Sequence, residues 1–198
     1  PSDASFDGHI PGRKRGQIAA FAAQGPASRA PLLEWCAGKG HLGRRLAITD
    51  RLPVRSLEID PTLCEDATRL AARSGIAQTV LCADALDDAS RSHVRDHAVL
   101  ALHACGELHR SLVRTAANDG AHSYRIAPCC YYRGAQDGYR PLSRDAALAL
   151  DGNALRLAVT ETVKAPLRIR QRLARDQAWK LGFVALRNHI QGEAIRPF

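Results

Sequence analysis

A mostly parallel, doubly wound α/β sheet with helices on both faces is the fold that three features of this sequence predict. Five short apolar runs lie between residues 31 and 129. Segments of helical periodicity separate them, as parallel strands joined by crossover helices require. The first run passes through a glycine-rich turn directly into a helix, an arrangement that lets the backbone turn sharply and approach a ligand closely.

Residues 1–16 read as an exposed arm, with Gly8, Pro11, Gly12 and Gly16 around the basic cluster Arg13-Lys14-Arg15. Residues 17–24 predict a short helix that Gly25-Pro26 ends. Leu32 to Cys36 is the first strand, and a helix over about 41–48 follows the glycine turn. Val54 to Ile59 is the second strand. Asp60 then offers an N-cap and Pro61 a first helical position. Leu63, Ala67, Leu70 and Ala71 keep helical spacing up to Ser74-Gly75. Thr79 to Cys82, Ala98 to Leu102 and Tyr124 to Cys129 are the remaining core strands. A weak helix over 86–96 and a helix carrying Leu108, Leu112 and Ala116 separate them, the latter ended by Asn118-Asp119-Gly120. Beyond this core, 134–145 reads as a loop, Leu155–Thr162 and Phe183–Ile190 as strands, and 167–181 as a basic helix. Arg168, Arg172 and Arg175 recur there at i, i+4 and i+7 and share one face.

The chain has 198 residues, 45% hydrophobic and 24% charged, the composition of a soluble globular protein. No apolar run approaches the roughly 20 residues of a membrane helix, and there is no secretory signal. It begins at Pro1 and contains no Met, which predicts a piece of a longer protein. The six cysteines at 36, 64, 82, 105, 129 and 130 include no C-x-x-C pair, so reduced thiols in a cytoplasm are expected, with no metal site. The formal net charge of +8 is concentrated at the ends. Residues 1–45 hold seven Lys/Arg against three acids, 46–160 thirteen against fourteen, and 161–198 eight against three. Two basic ends around a neutral middle favour a polyanion, RNA, as partner through Arg13, Lys14, Arg15, Arg168, Arg172 and Arg175.

Gly38, Gly40 and Gly43 form G-x-G-x-x-G between the first strand and its helix, the context that gives this pattern meaning. Glu58 ends the second strand 20 residues after Gly38, where a carboxylate can accept from both hydroxyls of a ribose. A nicotinamide dinucleotide and S-adenosylmethionine both fit this geometry. Glu34-x-Cys36-x-Gly38-x-Gly40 resembles the acid-x-Gly-x-Gly-x-Gly of methyltransferases, with Cys36 in place of the first glycine. Asp84, in Leu81-Cys82-Ala83-Asp84-Ala85, stands where those enzymes bind the adenine amino group. Glu34 and Asp84 therefore favour S-adenosylmethionine. The cofactor residues expected are Glu34, Cys36, Ala37, Gly38, Lys39, Gly40, His41, Glu58, Asp84, Ala85 and His103. Two further clusters, Leu102-His103-Ala104-Cys105-Gly106 and Pro128-Cys129-Cys130-Tyr131-Tyr132, follow the fourth and fifth strands. Ligands bind at the carboxyl ends of strands in open α/β sheets, so both should face one crevice.

Arg13-Lys14-Arg15-x-Gln17, the segment Glu34 to Gly43, Leu102 to Gly106 and Pro128 to Tyr131 together resemble, in this order, a family of methyltransferase-like domains. That family includes the C-terminal module of the glutathione S-transferase C-terminal-domain-containing protein. More distantly the chain is similar to the tRNA acceptor-stem 2′-O-methyltransferases, which carry a Cys-Gly after the fourth strand and a Cys-Cys after the fifth. Those enzymes place histidine after the paired cysteines, where this chain has Tyr131 and Tyr132. The resemblance spans residues 13–132. It implies a Rossmann-like class I methyltransferase fold that binds S-adenosylmethionine.

The expected organisation is a basic arm and helix at 1–25 and one methyltransferase domain at 26–198. That domain divides into a cofactor-binding core at 26–133 and C-terminal strands with a basic helix at 134–198. Methyl transfer chiefly requires alignment of acceptor and methyl group, with a base only where the acceptor must lose a proton. The catalytic candidates are His103 as a base, Cys105 or Cys129 as a nucleophile, and Tyr131 as a platform for a base. Lys39 is a candidate partner for the cofactor carboxylate. His103, Cys105, Cys129 and Cys130 offer soft metal ligands, but adjacent cysteines chelate one ion awkwardly. A methyltransferase acting on tRNA or rRNA is the function expected, and a non-catalytic cofactor- or RNA-binding module of the same fold is the alternative.

Overall fold

The computed structural model describes residues 10, 12–25, 29–130, 132–133, 135, 138–147, 149–157 and 166–191. They fall into two compact units, 1–156 and 157–198.

In the first unit the order is α1 (Gly12–Ala22), β1 (Leu32–Trp35), α2 (His41–Asp50), β2 (Val54–Glu58), α3 (Pro61–Ser74), β3 (Gln78–Cys82), α4 (Asp88–Arg91) with a 3₁₀ turn at Ser92–Val94, β4 (Ala98–Leu102), α5 (Glu107–Thr115), β5 (Ser123–Ala127) and α6 (Gly152–Leu157). The five strands form one parallel sheet in the order β3-β2-β1-β4-β5. This is the α/β fold that the sequence predicts. The chain winds outward from β1 in both directions, so the switch point lies between β1 and β4. Strands diverge there, and a crevice opens at their carboxyl ends.

Alternation along the strands divides the core between the two faces. Leu32, Ala98 and Leu100 pack with Ile18 and Phe21 of α1 and Leu42 and Leu46 of α2. Leu33, Trp35, Val99 and Ala101 pack on the other face with Ala85, Val94 and Leu112. Burial on both faces explains why β1 reads as a continuous apolar run apart from Glu34. Trp35 is 1% exposed, and its indole N–H donates to the Leu108 carbonyl at 3.1 Å, which pins α5 to the sheet.

Several boundaries differ from the sequence expectation, each for a local reason. The supposed arm is helical from Gly12, so Arg13, Lys14 and Arg15 occupy the first turn of α1. Tertiary contacts outweigh the poor helix propensity of Gly12 and Gly16. Ile18 and Phe21 are buried, and the Arg125 guanidinium lies 5.5 Å from the Phe21 ring centroid while donating to the Phe21 and Gly25 carbonyls. β1 stops at Trp35 because Cys36 turns to φ 57. β5 stops at Ala127, before Pro128, which has no N–H for the ladder. α3 starts as its cap predicts: the Asp60 carboxylate accepts from Thr62 N at 2.8 Å and Leu63 N at 3.3 Å.

The two late strands are not formed where the structure describes them. Asp151 caps a helix instead, its Oδ1 accepting from Ala154 N at 2.7 Å, and 152–157 is α6. Residues 158–162 lie outside the described residues. In the second unit, α7 (Leu167–Gln191) runs through both the expected basic helix and the expected strand at 183–190. Its apolar residues Trp179, Phe183, Leu186 and Ile190 fall at i, i+4, i+7 and i+11, a helical rather than a strand period.

Candidate functional site

The glycine turn is built from conformations that side chains rarely adopt. Cys36 (φ 57), Gly38 (φ 58) and Gly40 (φ 63) are all left-handed, so the chain reverses from β1 into α2 within five residues. Cys36 stands in the position of the missing motif glycine and still takes the left-handed conformation. Burial, with Glu58 and Asp84 nearby, pushes its thiol up to about 12, so it stays neutral. The turn is fastened from below. Glu58 Oε2 accepts the Gly38 N–H at 2.7 Å, while its Oε1 accepts Ile59 N at 3.0 Å and Asp60 N at 3.1 Å. One carboxylate thus holds the turn after β1 against the turn after β2.

Glu34 holds the other side of the turn. It is 4% exposed and accepts from Ser56 Oγ at 2.7 Å, and the Gly43 N–H also bonds to it. Gln78 Nε2 closes the network, donating to Ser56 Oγ at 2.7 Å and to the Gly40 carbonyl at 3.1 Å. Burial pushes the Glu34 carboxyl up to about 7, against the lowering influence of these hydrogen bonds and of Arg44 and Lys14. The buried Arg44 guanidinium donates to the Lys39 carbonyl at 3.0 Å and lies 2.6 Å from His41 Nδ1.

One cleft opens above this turn. Of the residues expected to bind a cofactor, Glu34, Cys36, Ala37, Gly38, His41 and His103 line it, beside Lys14, Ile18, Trp35, Leu42 and Leu102. Lys39, Gly40, Glu58, Asp84 and Ala85 are outside that lining. Glu58 reaches it through Gly38, and the Asp84 carboxylate accepts from Leu86 N at 2.8 Å in the turn after β3. Lys39 does not point at the turn but pairs with Asp66 at 2.8 Å. The cation over the turn is Lys14, whose Nζ lies 3.9 Å from where a Cβ on Gly38 would sit. The sequence predicts Lys14 on an exposed, RNA-binding arm. Its signal for this position was the helical spacing to Gln17 and Ile18, hidden by the two glycines.

After β4, His103 takes φ 66, and its Nε2 is 3.0 Å from Gln17 Oε1 of α1. Burial lowers its pKa, reinforced by Lys14 and Arg13. The loops after β4 and β5 meet, with His103 N donating to the Ala127 carbonyl at 3.0 Å and Cys105 Sγ 3.2 Å from Cys129 Sγ, but of the two clusters only Leu102 and His103 are among the described residues that line the cleft. Burial raises the Cys105 pKa, but hydrogen bonds from Cys129 and Cys130 outweigh it and bring the thiol below its usual value. The Cys129 thiol is pushed up to about 12 by burial and its two cysteine neighbours. Tyr131 lies outside the described residues. In the second unit, Arg168, Arg172 and Arg175 line one exposed patch on α7 with Ile169 and Gln171. No helix among the described residues is long and apolar enough to cross a membrane.

A parallel sheet in this order, with a glycine turn after β1 tied to a carboxylate at the end of β2, defines a Rossmann-like nucleotide-cofactor domain. The family described as "Methyltransferase domain" matches residues 17–136, more than half of the chain, and the chain belongs to that family. No curated protein matches it in sequence. Among solved structures, it is similar to TrmK of M. capricolum in complex with S-adenosyl-homocysteine (12% identity, TM-score 0.45), covering 57% of this chain and 51% of TrmK. An RNA methyltransferase from Salinibacter ruber, in complex with S-adenosyl-L-homocysteine, gives 16% identity and a TM-score of 0.43 over 57% of this chain and 77% of that one. TYW2 of P. horikoshii, in complex with MeSAdo, gives 15% and 0.43 over 54% of this chain. The chain spans 39% of the length of TYW2 and 42% of that of a transferase from Pyrococcus horikoshii.

Proposed function

We propose that the chain is an S-adenosylmethionine-dependent methyltransferase acting on RNA, in the cytoplasm. The observation that carries the cofactor assignment is the turn held by Glu58. Gly38 lines the switch-point cleft, the Glu58 carboxylate holds its N–H from behind, and a Cβ on Gly38 would meet nothing closer than the Lys14 ammonium. That donor set suits a nucleoside with a charged tail. Glu58 would accept from the ribose hydroxyls, Asp84 from the adenine amino group, with Ala85 beside it, and Lys14 would hold the carboxylate. Cys36, Ala37, Gly38 and His41 shape the wall, Gly40 turns the chain behind it, and Lys39 pairs with Asp66. The bound cofactor supplies an electrophilic methyl group on a sulfonium.

The chain's own work is alignment. His103, fixed by Gln17, borders the cleft and is the base candidate where the acceptor carries a proton. Cys105 or Cys129 would serve only a mechanism with a covalent adduct, and Tyr131 would stack on an acceptor base. The RNA reading rests on the basic ends: Arg13, Lys14 and Arg15 in α1, and the Arg168, Arg172, Arg175 face of α7.

The deciding experiment is calorimetric titration with S-adenosyl-L-homocysteine beside NADH, followed by labelled-methyl transfer to total RNA. Saturable binding of the first ligand alone, with label entering RNA, is expected. Cofactor binding with no label in any acceptor would make the chain a non-catalytic binding module. Binding of NADH alone would overturn the cofactor assignment.

A further inference from the structure

The loops after β4 and β5 bring three thiols together, and the proposed methyl transfer needs none of them. Cys105 is buried, and Cys129 and Cys130 are partly buried. Their sulfurs lie within 4.8 Å of one another, with Cys105 to Cys129 at 3.2 Å and Cys129 to Cys130 at 3.5 Å. We propose that Cys105, Cys129 and Cys130 form a three-thiolate site for a soft d10 cation of the zinc(II) class.

Three observations support this. The first is size: around one zinc ion with bonds of about 2.3 Å, tetrahedrally placed sulfurs sit roughly 3.8 Å apart, within the spread of the three thiols. The second is direction. Adjacent cysteines ordinarily chelate one ion awkwardly because neighbouring side chains diverge. Here both cysteines lie beyond the end of β5, and their sulfurs are 3.5 Å apart and both within 4.8 Å of Cys105 Sγ. The third is the cradle. The backbone N–H groups of Cys129 and Cys130 both donate to Cys105 Sγ, at 3.3 and 3.2 Å. Backbone donors aimed at one sulfur favour thiolate over thiol and fix its position before any ion arrives. The loops are also pressed together at Gly106, where a Cβ would meet the Arg133 carbonyl at 3.1 Å. His103 Nε2 is turned to Gln17, and among the described residues the cluster holds the three sulfurs alone.

Binding would form three metal–sulfur bonds and release the protons still held by the three thiols to solvent, with no change of oxidation state. The fourth position of a tetrahedral ion would remain for water or an added ligand. The ion would clip the β4 loop to the β5 loop, and it would raise the stability of the folded chain as its concentration exceeds the dissociation constant.

The test uses the full chain, fully reduced and freed of metal with a chelator, titrated with Cd²⁺ alone and with Zn²⁺ alone. An ultraviolet thiolate-to-cadmium charge-transfer band that saturates at one ion per chain is expected, with a rise in melting temperature. Cys105→Ser and Cys130→Ser should each weaken binding at least tenfold, while Cys82→Ser, which changes an exposed thiol outside the cluster, should leave it unchanged. Should either cluster variant fail to fold, the unaltered chain gives the same answer. Zinc should then protect Cys105, Cys129 and Cys130 from alkylation, mapped by mass spectrometry, and leave Cys82 reactive. No saturable band, a band retained in both cluster variants, or protection falling on other cysteines would overturn the site. None of these readouts depends on the methyl-transfer assignment.

Discussion

The Glu58 carboxylate holds the Gly38 N–H at 2.7 Å, across 20 residues, and so joins the ends of the neighbouring strands β1 and β2. The same carboxylate carries Ile59 N and Asp60 N, so three backbone donors depend on a side chain only 8% exposed. Glu58→Ala leaves those donors without their acceptor, and the chain should lose about 1–3 kcal/mol of stability. Affinity for S-adenosylhomocysteine should fall more than tenfold, since the turn and the ribose acceptor are lost together. Denaturant unfolding and calorimetry on the same sample check both. Unchanged affinity in a folded Glu58→Ala chain would place the ribose elsewhere.

Gly43 and Gly38 belong to one motif but should respond differently. A Cβ on Gly43 would lie 2.5 Å from Glu34 Oε2 and 2.9 Å from Val54 Cγ1, inside the buried network. Gly43→Ala should therefore cost about 1–3 kcal/mol through overpacking. Gly38 has φ 58 but open space before it, so Gly38→Ala should cost about 1–2 kcal/mol of backbone strain and nothing from a clash. Gly38→Arg should fold equally well yet lose cofactor binding, because its side chain must enter the cleft. Full affinity in Gly38→Arg would move the cofactor site away from this turn.

The contrast shows what the sequence could reveal. Hydrophobic runs and caps marked all five strands and α3, because both faces of a parallel sheet are buried and Asp60-Pro61 is a local signal. Glu34, Gly38 and Glu58 were legible through motif spacing. Lys14 was not placed, because α1 starts at Gly12 rather than at residue 17, and Gly12 and Gly16 hide that first turn from any local propensity. The strand expected at 183–190 failed for the opposite reason: its aromatic and β-branched content outweighed a helical period that becomes clear only over the full length of α7. The meeting of Cys105 with Cys130 needed the β4–β5 pairing, which no short window contains.

On α7, Arg168, Arg172 and Arg175 sit on one exposed face. If that face tracks an RNA backbone, each phosphate contact releases counterions, and log affinity falls with log salt in proportion to the contacts made. Changing all three to Glu should weaken RNA binding at least tenfold at low salt and reduce the slope by up to about three phosphate equivalents. Fluorescence anisotropy on a labelled tRNA across a salt series reads both quantities. A slope unchanged by the triple variant would remove α7 from the RNA surface.

Glu34 gives the fold a dependence on pH. Its carboxyl titrates near 7 when folded, raised by burial from an ordinary value of 4.5, with Arg44 and Lys14 opposing the rise. Below pH 4.5 the group is protonated in both states and contributes no difference. Between 4.5 and 7 the unfolded chain has released this proton and the folded chain still holds it, so stability declines as pH rises. Above about 7 the decline is complete, and the full difference is about 3 kcal/mol. The Glu34→Gln variant keeps an oxygen for the Ser56 hydroxyl but cannot titrate. Unfolding free energies of the two chains, measured from about pH 4.5 to 8, should diverge with rising pH in favour of the Glu34→Gln variant. Parallel curves would mean that Glu34 ionises in the folded chain as readily as in the unfolded one, with Arg44 and Lys14 offsetting its burial.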